Sequence, residues 1–266
     1  MLDTKKIKTI ARKEWAEIFK NRMVFFTVAF MPLLFTILPL VILYAMHGSG
    51  TDGISSEMPS QLTSMCPSGL SGGDCFQVYM ISEFMLMFMI IPLAIPVTIS
   101  AYSIVGEKTT RSLEPLLATP ITTIELLVGK CVAAAVPAVL ATYGAFSIYA
   151  VGAVIILRSN RLLLSAVLDL RWFIAIIVVG PLLALLAITV SIMVSSRVND
   201  PRVAEQLSMV VIVPLLLIFF GQLGGVILVS RKFIYFSVIV LAALDALMIY
   251  LAGRLFQRET ILTRWK

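Results

Sequence analysis

The chain has 266 residues, of which 59% are hydrophobic and only 14% charged; soluble proteins average about 45–50% apolar residues even with glycine counted. Mean hydropathy is +0.99, and six bilayer spans of roughly 20 residues need about 120 mostly apolar positions, so the composition excludes a soluble domain and predicts one polytopic membrane domain over 1–266. In such a chain the net charge of +6 points to topology and contact with anionic membrane lipids, with no nucleic acid as partner.

The first element is charged and is not a span. No 20-residue apolar stretch with a small-residue cleavage site opens the sequence, so no removable secretory signal is expected. Over 3–21, Ile7, Ile10, Trp15, Ile18 and Phe19 recur at helical spacing opposite a Lys- and Arg-rich face. That pattern predicts an amphipathic helix in the membrane interface, serving as an anchor or as one wall of a docking site.

Six apolar segments follow, near 23–46, 76–102, 125–157, 172–195, 206–229 and 233–253. Pro32, Pro39, Pro92, Pro96, Pro137, Pro181 and Pro214 fall inside them. Each removes a backbone donor, which predicts kinks unless neighbours satisfy the freed carbonyls; Pro92 and Pro96 mark a flex point, and the long third segment reads as one tilted helix or as broken near Pro137. An even number of spans puts both termini on one side. With the termini in the cytoplasm, sixteen Lys and Arg lie inside and five (Arg158, Arg161, Arg171, Arg231, Lys232) outside. This bias predicts a multi-pass protein of the plasma membrane with both termini cytoplasmic, although the 158–171 loop fits the rule poorly.

The 47–76 loop, external in this topology, has no Lys or Arg. Cys66 and Cys75 in it are candidates for a disulfide in an oxidising compartment, whereas Cys131 reads as a small packing residue. Leu70-Ser-Gly-Gly-Asp74 looks like the signature of an ABC ATPase; with no phosphate loop upstream it reads as a turn. Two acids, Glu83 and Asp245, fall inside spans, where charge is costly. With Gln222 they are candidates for a translocation path, against the plainer reading of protonated or hydrogen-bonded structural groups. Gly221, Gly224 and Gly225 permit close helix approach. A single histidine, His47, gives no basis for a metal site.

The loop at 103–124, cytoplasmic in this topology, interleaves Glu107, Lys108, Arg111 and Glu114 with Leu113, Leu116 and Leu117. This reads as a short polar helix with one apolar edge, stopped at Thr119-Pro120. Thr122 and Thr123 then cap the next helix, with Glu125 in its first turn.

Gly106-Glu107-Lys108, Ser112-Leu113-Glu114, Leu116-Leu-Ala-Thr-Pro120 and Glu125-Leu-Leu-Val-Gly-Lys130 resemble the loop hallmark of ABC type-2 exporter permeases. Where that family often has Glu-x-Gly-Thr, this chain has Thr109-Thr110-Arg111-Ser112. The tail, Phe256 to Trp265, is similar to the family's as well. The resemblance implies an all-α membrane protein, with six transmembrane helices after an amphipathic interfacial helix. It further implies a permease subunit of an ATP-driven exporter that works by alternating access. The partners it implies are a separate ABC ATP-binding subunit and a second permease copy, identical or paralogous, with ATP and Mg bound by the ATPase and no cofactor in this chain. By the same resemblance Glu107, Lys108, Arg111, Leu113, Glu114, Leu116, Leu117 and Pro120 form the ATPase-coupling helix, and the 3–21 helix adds a second contact. The chain offers no catalytic residues, since Gly129-Lys130 is followed by Cys131 and has Ile124 where a phosphate loop needs its first glycine. A self-sufficient channel or ion-coupled transporter using Glu83 and Asp245 is the competing reading. An intramembrane enzyme finds neither a nucleophile–base pair nor a metal cluster.

Overall fold

The computed structural model describes residues 3–18, 20, 22–48, 72–109, 122–227 and 229–255. Arg111, Leu113, Glu114, Leu116, Leu117, Pro120, Cys66 and the 256–265 tail lie outside them. Helix α1 is Thr4–Ile18, α2 Arg22–Gly48, α3 Gly72–Phe88, α4 Ile91–Thr109 and α5 Thr123–Ile156. Two short helices follow, α6 (Arg161–Val167) and α7 (Leu170–Ile174). A π-helical turn, Ala175–Val179, leads into α8, Gly180–Ser195. After α9 (Pro201–Ser208) a 3-10 turn, Met209–Ile212, enters α10, Val213–Leu223, and α11 is Arg231–Leu255.

Among the described residues, six helical segments are long and apolar enough to cross a membrane: Val24–Met46, Gly72–Thr109, Ile124–Ile156, Arg161–Ser195, Pro201–Leu223 and Arg231–Arg254. The second is the centre of the bundle. Every residue from Ile91 to Ala101 on α4 is buried, beneath α8, α5, α9 and α2. The outer helices instead turn Phe25, Phe30 and Val41 of α2 and Phe236, Ile239 and Leu247 of α11 outward, as a lipid-facing surface requires. An aromatic cluster joins three elements of the core. Phe146 of α5 meets Phe173 edge-on at 5.1 Å, and Phe88 lies 6.2 Å from Tyr149.

The prolines act in three different ways. Pro92 ends α3: its ring excludes the carbonyl of Phe88, four residues back, and the helix stops at Phe88 and restarts at Ile91. The break therefore precedes the Pro92–Pro96 pair instead of lying between them. Pro137, where the sequence allowed either one long helix or a break, sits inside a continuous α5. The Ala133 carbonyl, which it leaves without a helical donor, accepts the indole N–H of Trp15 at 2.9 Å. Pro181 deprives Ile177, inside the π-helical turn, in the same way, and the Tyr143 hydroxyl donates to that carbonyl at 2.9 Å. Pro214 opens α10 directly after the 3-10 turn.

Candidate functional site

Helix α1 does not stand alone against lipid. It lies along the first turns of α5 and reaches the last turn of α4, with contacts in matching order. At the start, the Glu125 carboxylate accepts the Asp3 backbone N–H at 3.1 Å and the Thr122 backbone N–H at 2.9 Å. The Thr122 hydroxyl in turn accepts the Glu125 N–H at 3.2 Å, closing a capping box at the N-terminus of α5. Lys6 adds a 3.7 Å ion pair to the same carboxylate. One turn on, Ile10 fills the space above Gly129; a β-carbon there would stand 2.8 Å from Ile10 Cγ2. Trp15 closes the series on the carbonyl freed by Pro137.

Between these contacts lies a buried charge cluster. Lys130 of α5 places its ammonium 2.9 Å from Glu14 Oε1, 2.7 Å from Glu107 Oε2 and 2.7 Å from the Ser103 hydroxyl. The contacts to Glu14 and Ser103 are hydrogen bonds, and that to Glu107 Oε2 is an ion pair. Lys130, Glu14 and Glu107 are 7%, 2% and 6% exposed, a depth at which ions persist only when paired. Lys13 balances the second acid from the rim, 3.0 Å from Glu107 Oε1. Partial burial alone would lower the Lys13 pKa, but the hydrogen bond and charge of Glu107 outweigh it and raise the group above the ordinary lysine value.

This geometry alters the reading of the loop at 103–124. Helix α4 runs through to Thr109, so Glu107 and Lys108 belong to its last turn and not to a separate polar helix. Glu107 is a buried partner of Lys130 and Lys13, not a water-facing docking group, because the acid packs under α1. Lys108 reaches the carbonyls of Ser196 and Val198 at 3.4 Å each, a cation at the C-terminal end of α8, where the helix dipole favours it. Both ends of the loop are therefore held by α1, through Glu107 before it and Glu125 after it. Within Glu125-Leu-Leu-Val-Gly-Lys130, Glu125, Gly129 and Lys130 each touch α1. Glu14, Ser103 and Trp15 complete the site and were not legible as members of it. Glu14 falls on the charged face of a helix whose apolar residues dominate its pattern.

The intramembrane candidates divide. Glu83 on α3 and Gln222 on α10 come together, with Tyr79 one turn back on α3; all three lie toward the end of the bundle far from α1. Asp245 on α11 is a separate buried acid, and neither of its oxygens meets a donor. A third acid was missed: Glu205 of α9 accepts the hydroxyl of Thr98, buried in α4, at 2.6 Å. At the head of α3 Cys75 is disulfide-bonded, while Cys131 is a free thiol. The glycines of α10 serve its own end. Val226 and Ile227 donate back to the Gly221 carbonyl, Gly225 takes a φ of 71°, and a β-carbon on Gly221 would meet Ile227 at 2.6 Å.

A family model described as ABC-2 family transporter protein matches residues 8–247. The chain belongs to that family. It is a multi-pass membrane protein, the membrane subunit of an ABC transporter, and the match runs from within α1 through most of α11. No curated protein matches the sequence.

Proposed function

We propose that this permease is the membrane subunit of an ATP-driven exporter, and that a separate ATP-binding subunit docks on the 110–121 loop and on the exposed face of α1. ATP and Mg belong to that subunit. Two permease copies, identical or paralogous, complete the transporter, with both termini and α1 on the cytoplasmic side. The observation that carries this reading is the clamp. Motion imposed on the loop enters α4 at Glu107 and α5 at Glu125, and α1 ties the two together. Helix α4 is the buried centre of the bundle, and α5 borders α2, α4 and α8. A displacement at the loop is thereby transmitted to the helices around any translocation path, as alternating access requires.

The charge distribution supports the orientation. Of the five basic residues at the opposite end, Arg231 pairs with Asp169 at 3.2 Å and Arg171 is engaged with Val229 and Ser82, which lessens the misfit to the positive-inside rule. Co-purification with a co-expressed ABC ATP-binding protein from the same genome tests the proposal. A stable complex is expected, with hydrolysis reduced when Glu114 is changed to Lys. A chain that purifies alone and conducts ions without ATP would overturn it.

A further inference from the structure

A cavity of about 320 Å³ lies between α3–α4, the π-helical turn and α8, α10 and α11, lined by Leu86, Met89, Ala175, Leu215, Phe233 and Leu244 among others. The lining is almost wholly apolar. Ser237, its one hydroxyl-bearing residue, donates to the Ile234 carbonyl. Three backbone irregularities meet here, which in a membrane is where irregular backbone is tolerated. Met89 sits in the α3–α4 break, Ala175 and Val179 bound the π-helical turn, and Val211 and Pro214 lie at the 3-10 entry to α10.

A cationic side chain lies beside one end of this cavity. Trp172 and Val229 line it. The Arg171 guanidinium lies 5.3 Å over the Trp172 ring and donates to the Val229 carbonyl and to the Ser82 hydroxyl, each at 3.1 Å. Both acceptors are neutral, and Arg171 Nε is buried with no acceptor at all. Residues 157–171 and 229–232 together carry Arg158, Arg161, Arg171, Arg231 and Lys232 against Asp169 alone; Asp74, at the head of α3, and Glu83, next to Ser82, are further described acids toward this end.

We propose that the cavity binds one acyl chain of an amphiphile whose anionic headgroup rests against Arg171. The dimensions agree. On α11 the lining runs from Phe233 to Leu244, and eleven residues at 1.5 Å each give about 16 Å. Half the ~30 Å hydrocarbon core of a bilayer is about 15 Å, so the cavity has the reach of a chain in one leaflet and begins at the basic end. The guanidinium, which feels the charge of Asp169 but hydrogen-bonds only neutral acceptors and leaves Nε without one, supplies the headgroup contact, since phosphate and carboxylate oxygens suit its fork of donors. Cations retained at the end where the positive-inside rule disfavours them thereby have a use. As a binding site the proposal stands on the cavity and Arg171; as an assignment of substrate class, an anionic amphiphile, it rests on the transport reading above.

The test needs no ATPase, so its failure is separable from failure of the permease–ATPase pairing. Trp15→Phe and Trp265→Phe leave Trp172 as the one tryptophan. The permease is placed in phosphatidylcholine nanodiscs, with rising fractions of phosphatidylglycerol or phosphatidylcholine brominated on the acyl chain. Brominated phosphatidylglycerol should quench Trp172 saturably and at about 5-fold lower mole fraction, the scale of one basic side chain's attraction for anionic lipid. Arg171→Gln should erase the difference and Arg171→Lys should keep it. Ala175→Phe, which fills the cavity, should abolish quenching by both lipids. Equal quenching by the two lipids in the Trp172-only protein, or a preference that survives Arg171→Gln, would overturn the proposal.

Discussion

Replacing Lys130 with Met isolates the energetics of the α1 clamp. The substitution keeps the bulk of the side chain and removes the cation 2.9 Å from Glu14 and 2.7 Å from Glu107. Glu14, 2% exposed, is left next to a second acid. Removing one member of a buried ion pair costs about 3–5 kcal/mol. Lys130 also ties α5 to α4 through Glu107 and Ser103, but those two helices pack in addition through the buried Ile91–Ala101 stretch of α4, so the cost falls chiefly on the docking of α1. When opening is fast relative to cleavage, proteolysis follows the open population, and 3–5 kcal/mol means cleavage at least ~100-fold faster. Trypsin supplies the assay because α1 carries Lys5, Lys6, Lys8, Arg12 and Lys13. The triple change Glu14→Met, Glu107→Met and Lys130→Met should cut slowly again, since apolar replacement of a whole buried cluster is close to neutral or stabilising by about 1–4 kcal/mol. Wild-type cleavage kinetics in Lys130→Met would refute the reasoning, as would a triple variant cut as fast as the single one.

Gly129→Ala should weaken α1 docking by about 1–3 kcal/mol, because the new methyl lies 2.8 Å from Ile10 Cγ2; adding Ile10→Ala should restore slow trypsin cleavage. Trp15→Phe should cost about 1–3 kcal/mol by stranding the Ala133 carbonyl, and Tyr143→Phe should cost the same range at Ile177; thermal unfolding in detergent reads both. The Lys13 pKa is raised by Glu107 from its ordinary 10.5. Its contribution is therefore complete below pH 10.5 and lost as pH rises through the raised value, so trypsin-accessible α1 should increase only in that alkaline range, and Lys13→Met should remove the dependence. Glu83→Gln should leave the thermal midpoint unchanged or raised if Glu83 is a neutral structural acid, and should abolish transport if it lies on the path.

Much of the architecture was legible because the spans are long apolar windows, which fix their number by hydropathy; their ends are less legible, since the fourth begins at Arg161 where hydropathy suggests 172 and the fifth runs Pro201–Leu223 where it suggests 206–229. The capping of α5 was legible too: Thr122 and Glu125 are local neighbours, and three-residue spacing is enough to pair them. What the sequence hid are contacts between distant residues. The Lys130 cluster joins positions 13, 14, 103, 107 and 130, and no spacing rule pairs an acid on the polar face of one helix with a lysine over a hundred residues away. The prolines show the same limit. Spacing predicts which carbonyl each one frees, but not that Trp15 and Tyr143 supply the missing donors, nor that Pro92 ends a helix while Pro137 does not. Trp15 was read as part of a lipid-facing stripe because its indole body is apolar; its N–H is what fixes its place.

The most direct test of the account is where the ATP-binding subunit touches the permease. A photo-crosslinking amino acid is introduced singly at Leu116 in the loop, at exposed Arg12 on α1 and at exposed Arg158 on the opposite end, and each variant is irradiated in membranes with the ATPase present. Adducts to the ATPase from positions 116 and 12, and none from 158, are the predicted result. Adducts from 158 alone would reverse the orientation and remove the clamp from the coupling pathway.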